Sequence, residues 1–257
     1  MEITSTKLSI KEKVGYGLGD TASHFVWDMV GFWILIFYTD TFGISAAAAG
    51  TIMLIARVWD MVSDPLMGII ADRTTTKWGK FRPYILWMAV PYSILAVLTF
   101  TTPDLGATGK IIYAGVTYFL LMTVFTAINL PYSSLGAVMT SDSYERAGLN
   151  SYRFVFAFIG QLIVTGSALT LVLYFGNGDT AQGYQYTLIL FAVISFLLFM
   201  ITFKTTKERV QPPKEQQQNL KEDLRNLFKN KPCDSVFCGN YFFCDVCHAK
   251  PKYCVLF

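Results

Sequence analysis

The sequence predicts an all-α membrane protein of six transmembrane helices, followed by a C-terminal tail of different character. Three observations carry this. Apolar residues make up 53% of the chain and charged residues only 15%, where a soluble domain carries about 25% charge, so the chain cannot coat a water-exposed surface. With a mean hydropathy of +0.41 it is also far too apolar for disorder. Finally, six apolar runs stand between Val14 and Phe203, each near the roughly 20 residues that a spanning helix needs.

The runs lie near residues 17–38, 46–71, 83–101, 111–137, 151–174 and 184–203. Each is continuously apolar rather than alternating with a period of two, which argues for helices and against a barrel. Three carry polar intrusions: the first opens with YGLGDTASH, the second contains ARVWDMVSDP and the fourth ends in NLPYSSLG. Residues 1–13 read as a cytoplasmic N-terminus and 14–203 as the six-helix bundle. Residues 204–232 read as a cytoplasmic linker with a short amphipathic helix near Leu220–Phe228.

Residues 233–257 form a tail that holds all five cysteines, Cys233, Cys238, Cys244, Cys247 and Cys254. Cys244-x-x-Cys247 with His248 has part of a zinc spacing, but a second ligand pair is missing. The terminal CVLF fits a prenylation box in form only. The favoured expectation is a reading frame shifted near Lys231, which makes this tail unselected sequence on a truncated chain.

Charge sets the expected orientation. Lys7, Lys11 and Lys13 precede the first run. Arg73, Lys77, Lys80 and Arg82 follow the second, Arg146 follows the fourth, and eight more basic residues lie between Lys204 and Lys231. The opposite loops hold only Lys110. The positive-inside rule then places both ends of the six-helix unit in the cytoplasm. The basic rim faces anionic lipid headgroups and calls for no nucleic-acid partner. The polar first residues do not form a cleavable signal peptide, so the first helix is expected to insert uncleaved.

Ionisable side chains in a spanning helix cost about 2.5–3.5 kcal/mol each at its centre and mark candidate functional sites. The second run carries Arg57, Asp60 and Asp64, at i, i+3 and i+7, on one helical face. Unpaired, the three would cost on the order of 8–10 kcal/mol. One arginine against two carboxylates leaves one net negative charge, which a bound monovalent cation or a proton would neutralise. The plain alternative is a structural Arg–Asp pair with Asp64 near the interface. The first run presents Asp20, His24 and Asp28 at successive i+4 steps. The fourth presents Thr126, Asn129 and Ser133 around Pro131, and the fifth Tyr152, Arg153 and Gln161. Four polar stripes imply a hydrophilic cavity with the hydroxyls, amides and charges that a sugar pocket needs. Trp27, Trp59 and Tyr132 are its candidate stacking rings. Gly17-Leu18-Gly19-Asp20 matches the GxGD string of intramembrane aspartyl proteases, but no second catalytic aspartate segment follows. Gly15 and Gly19 at small-xxx-small spacing read better as close helix packing.

The loop GIIADRTTTKWGKFRP resembles the signature between helices 2 and 3 of the major facilitator superfamily. With KVGYGLGD, YTDTFGI, ARVWDMVSDPLMG, DRTTTKWGKFRPY, INLPYSSLGAVMT and ERAGLNSYRF, residues 8–230 resemble the N-terminal half of the glycoside–pentoside–hexuronide:cation symporters. These are the melibiose permease-like carriers of that superfamily. The resemblance implies a bacterial inner-membrane sugar symporter, coupled to Na⁺ or H⁺, that needs no cofactor beyond that ion. It also implies a missing C-terminal six-helix half.

Carried over by position, the family's cation site falls on Asp60 and Asp64 with Thr126, and its helix-2 arginine on Arg57. Ser63 stands where melibiose permease-like carriers have asparagine, which leaves the ion open. The sugar-site arginine of helix 5 falls on Arg153. The acidic anchors for galactosides fall on His24 and Asn129, and the stacking tryptophan falls on Ser133. These departures imply a sugar other than melibiose. Asp28 and Asn129 are the candidate replacement contacts, ahead of Asp20, which lies nearer the cytoplasmic end. The rival reading is a non-transporting membrane fragment or a sugar-binding sensor.

Overall fold

The computed structural model describes residues 7–210. The Cys-rich tail and the expected helix at 220–228 lie outside the described residues. Six helices form: α1 (Ile10–Ile36), α2 (Ala46–Arg73), α3 (Arg82–Thr99), α4 (Ala107–Met139), α5 (Ser143–Gly176) and α6 (Thr180–Thr205). All six are long and apolar enough to cross a membrane. Each covers its apolar run, except that α1 and α3 each stop two residues short, α1 passing into a π-helical turn, and most extend past it at one end or both. The extensions are polar termini that hydropathy cannot see but that capping stabilises. Ser9 and Glu12 form a reciprocal capping box on α1, and Ser45, Asp142 and Asp179 cap α2, α5 and α6.

A five-residue π-helical turn, Phe37–Thr41, ends α1. Lys110, the basic residue isolated on that side, donates from Nζ to the Phe42 carbonyl at 2.9 Å, where a cation favours a helix C-terminus.

Part of the helix packing survives exchanging the first three for the last three, although α5 also lies along α6 while α2 makes no comparable contact with α3. α1 lies on α5 and α6, α4 lies correspondingly on α2 and α3, and α3 touches α6. Three spans reverse the direction of insertion, so the two triplets have opposite topology, as in inverted-repeat carriers. In lipid the helices associate through close packing and interhelical hydrogen bonds rather than hydrophobic burial. Ser195 of α6 donates to the Ala22 carbonyl at 2.7 Å, and Thr21 donates to the Phe156 carbonyl at 2.8 Å. Tyr16 and Tyr132 stack with centroids 4.9 Å apart, and the Tyr132 hydroxyl donates to the Tyr16 carbonyl at 2.6 Å.

Small residues make this approach possible. A Cβ on Gly15 would run into the Thr205 side chain of α6, and one on Gly19 would lie 2.5 Å from the Tyr132 ring. The GxGD string is therefore a packing motif here, and its aspartate is engaged elsewhere. The tightest approach to another helix's backbone is at Gly183 of α6, whose added Cβ would overlap the Val172 carbonyl of α5.

One face of the bundle is closed by the segment after α6. α3 begins at Phe81 without a side-chain cap of its own. Glu208 supplies it from 126 or more residues away, accepting from the backbone N–H of Lys80, Phe81 and Arg82 at 2.8, 2.8 and 2.9 Å. A carboxylate at a helix N-terminus satisfies orphan donors and the helix dipole together. The loop can approach because Gly79 adopts φ +114°, and its missing side chain leaves room for the carboxylate. Arg82 donates to the Phe203 carbonyl at 2.6 Å. Next along, Arg209 pairs with Glu12, and Arg209 and Val210 donate their N–H groups to the Val138 carbonyl at 2.9 Å. Five residues thereby tie together the ends of α1, α3, α4 and α6.

Gly183→Ala should lower stability by about 1–3 kcal/mol, the usual cost of overpacking. Gly166→Ala, with nothing within 4 Å of its added Cβ, should be neutral or stabilising by up to about 1 kcal/mol. Unfolding in detergent micelles checks both, and equal effects would contradict the packing. Glu208→Gln should cost roughly 1.5–3 kcal/mol, the range for hydrogen bonds to a charged group. It should also speed amide exchange at Lys80, Phe81 and Arg82 while α5 amides stay unchanged.

Candidate functional site

The polar residues gather in two neighbouring places. The first lies between α2 and α4. One turn separates Asp60 from Asp64 on α2, and Thr126 of α4 donates from Oγ1 to Asp64 Oδ1 at 2.9 Å. Arg57 Nη1 lies 3.6 Å from Asp60 Oδ2, with the Arg57 side chain 64% exposed and Asp60 19%. The arginine is therefore a loose partner. On the other side, Asp60 Oδ1 and the Ser63 hydroxyl are both buried without a hydrogen-bond partner among the described residues. Buried oxygens are almost always satisfied in native proteins, so an orphaned carboxylate oxygen and an orphaned hydroxyl one turn from a second carboxylate form an unfilled oxygen donor set. Its charge, with Arg57 counted, is one net negative. Trp59 Nε1 donates to Thr123 Oγ1 at 3.0 Å and fastens the same two helices.

The second place is a cavity of about 400 Å³ among α1, α4 and α5. Asp20, His24, Trp27, Asn129, Arg153 and Gln161 line its polar side, with Phe125 and Phe158 on its apolar side. Arg153 Nε donates to Asp20 Oδ2 at 3.1 Å, and its guanidinium carbon lies 5.7 Å from the centre of the Tyr132 ring. His24 Nδ1 and Asp28 Oδ2 are 3.0 Å apart. Trp27 stacks on Phe125 with centroids 4.1 Å apart and planes 13° from parallel.

The placements differ in part from the expected ones. His24, Asn129 and Arg153 come together in the cavity. Asp28 does not line it and sits behind His24, 5% exposed. Arg57 lies over the Trp27 ring at 5.6 Å, between the cavity and the carboxylate pair rather than in either. Ser133 is exposed and outside the cavity, because it follows Tyr132, which is turned fully inward against Tyr16. Tyr132 is thus a support for Arg153 and not a stacking platform, and Trp59 belongs to the α2–α4 contact. Asp20, ranked behind Asp28 from position along the helix, is a wall of the cavity. Phe125 was not singled out, since one phenylalanine in an apolar run carries no signal.

Arranged this way, the groups suit binding rather than bond making. The cavity offers donors, acceptors and an aromatic surface, which recognise a polyol, and the adjacent oxygens suit a hard cation.

A family profile described as MFS/sugar transport protein matches residues 15–244. The chain is 45% identical over 226 residues to the inner membrane symporter YicJ of Escherichia coli, covering 88% of this chain and 49% of that protein. It is 47% identical over 225 residues to the putative glycoside/cation symporter YagG of E. coli, covering 88% and 49%. To the isoprimeverose transporter of Lactiplantibacillus pentosus it is 38% identical over 235 residues, covering 90% and 49%. The chain spans about half the length of these relatives. These are transporters and not enzymes, and the chain belongs to the MFS sugar-transport family, among the glycoside–pentoside–hexuronide:cation symporters.

Proposed function

We propose that this chain forms the N-terminal six-helix half of a cation-coupled symporter for glycosides or pentosides, working by alternating access with a second six-helix bundle. The observation that carries the proposal is the unfilled oxygen set of Asp60 and Ser63 beside the Asp64–Thr126 pair, linked through Arg57 to Trp27 of the polar cavity. Asp60, Asp64, Thr126 and Ser63 hold the cation, Na⁺ or H⁺. His24, Asn129, Arg153 and Gln161 hold the sugar, with Trp27 as its apolar wall. A cation between α2 and α4 fixes Asp60, and Arg57 passes that to the cavity because it faces both Asp60 and Trp27.

The exposed apolar faces of α2 and α5, including Val58, Met61, Val62, Phe154, Phe158 and Leu162, support an opposing bundle across the cavity. Rocking of the two bundles about a central site then exposes it to each side in turn. Both ends of this unit lie on the cytoplasmic side, in line with the basic residues around the Glu208 closure.

Two substitutions test the reading in the full-length carrier. Asp64→Asn should abolish the dependence of sugar uptake on a Na⁺ or H⁺ gradient, with at least a tenfold fall in gradient-driven uptake. Thr126→Ala should weaken cation affinity by about 1 kcal/mol, or roughly fivefold, the net worth of one hydrogen bond. Uptake in Asp64→Asn that still follows the gradient contradicts the assignment. Comparing a Na⁺ gradient with a pH gradient in the unaltered carrier identifies the ion.

A further inference from the structure

The charges that face the cavity nearly cancel, and one residue is responsible. Among the described residues, Asp20, His24 and Arg153 are the titratable groups that line it. Arg153 carries the one permanent positive charge. Asp20 reaches it from α1 at 3.1 Å, lines the same cavity and is itself only 6% exposed, so the carboxylate is committed to the guanidinium rather than to water. Tyr132 supports the same guanidinium through its ring. His24 is backed by Asp28 at 3.0 Å, a pair that is neutral when the imidazole is protonated and negative when it is not. Arg57 lies beyond the Trp27 ring and faces Asp60, while Asp64 is held by Thr126. Counting Asp28 behind His24, these two pairs carry no net positive charge in either state of His24.

We propose that Asp20 sets the charge selectivity of this cavity: by cancelling Arg153 it fits the site to uncharged sugars and turns away sugar acids. The assignment rests on reading the cavity as a sugar site. A free guanidinium in a low-dielectric pocket is a ready receptor for a carboxylate, which it engages through two parallel N–H bonds. With Asp20 occupying Nε, a second carboxylate would meet a compensated cation and lose its hydration without an equal return. A neutral sugar meets no such penalty. Its hydroxyls take donors from the guanidinium, Asn129 and Gln161, and its C–H groups lie against the apolar wall that holds Phe125 and Phe158. Asp20 is a positioning residue, acting on the ligand through Arg153.

The test is calorimetric titration of the purified full-length carrier with matched pairs differing only at C6. Methyl β-D-glucoside is set against methyl β-D-glucuronide, and methyl α-D-galactoside against methyl α-D-galacturonide. The unaltered carrier should favour the neutral member of the bound pair by at least tenfold. Asp20→Asn should shift that ratio toward the acid at least tenfold, and Asp20→Asn with Arg153→Gln should shift it back. A ratio that stays within twofold in Asp20→Asn, or an unaltered carrier that favours the acid, overturns the assignment. If Asp20→Asn does not fold, Asp20→Ser is titrated in its place and the same limits decide. Binding of no member of either pair, nor of neutral methyl β-D-xyloside, overturns the sugar reading beneath it.

Discussion

Charge placed in hydrocarbon must be answered, and that constraint organises the interior of this bundle. Each ionisable group in the core of the spanning helices costs several kcal/mol if left alone. Most are met from another turn or another helix: Arg153 by Asp20, His24 by Asp28, Asp64 by Thr126. The compensation is incomplete at one place. Among the described residues Asp60 keeps one buried oxygen without a partner, one turn from an equally unpartnered Ser63 hydroxyl, while its arginine is loose and mostly exposed. That open position is what the proposed cation would fill.

Packing places these groups within reach of one another. The α1–α5 contact brings Asp20 to Arg153, and its counterpart under triplet exchange, α2–α4, brings Asp64 to Thr126. The polar cavity and the carboxylate pair lie on either side of Arg57, which reaches from Asp60 to the Trp27 ring. At the far end, Glu208 caps a helix that has no cap of its own, and Arg209 holds the start of α1. Relative motion of the helix ends on that side must load or release these contacts.

Much of this was readable from the residues because each signal was local. Twenty-residue apolar runs define the spans, and the i, i+4 spacing of Asp60 and Asp64 defines the carboxylate pair. Depth and azimuth were harder. Asp20 was ranked low because position along a helix does not say which neighbour reaches it, and Arg153 reaches it from 133 residues away. Ser133 and Tyr132 are adjacent, so when the tyrosine turns inward against Tyr16 the serine must turn out. Glu208 was missed altogether. Its partner signal was an absence, the lack of any capping side chain ahead of Arg82-Pro83, and nothing local says what fills it.

The central claim is that one cation, held on α2, and one sugar, held by α1, α4 and α5, favour each other's binding. By linkage the two effects must be equal. The most direct measurement is the dissociation constant of each ligand in the full-length carrier with the other ligand saturating and absent. The account predicts that the cation tightens sugar binding and that the sugar tightens cation binding by the same factor. Sugar affinity that is indifferent to the cation at every concentration would contradict it.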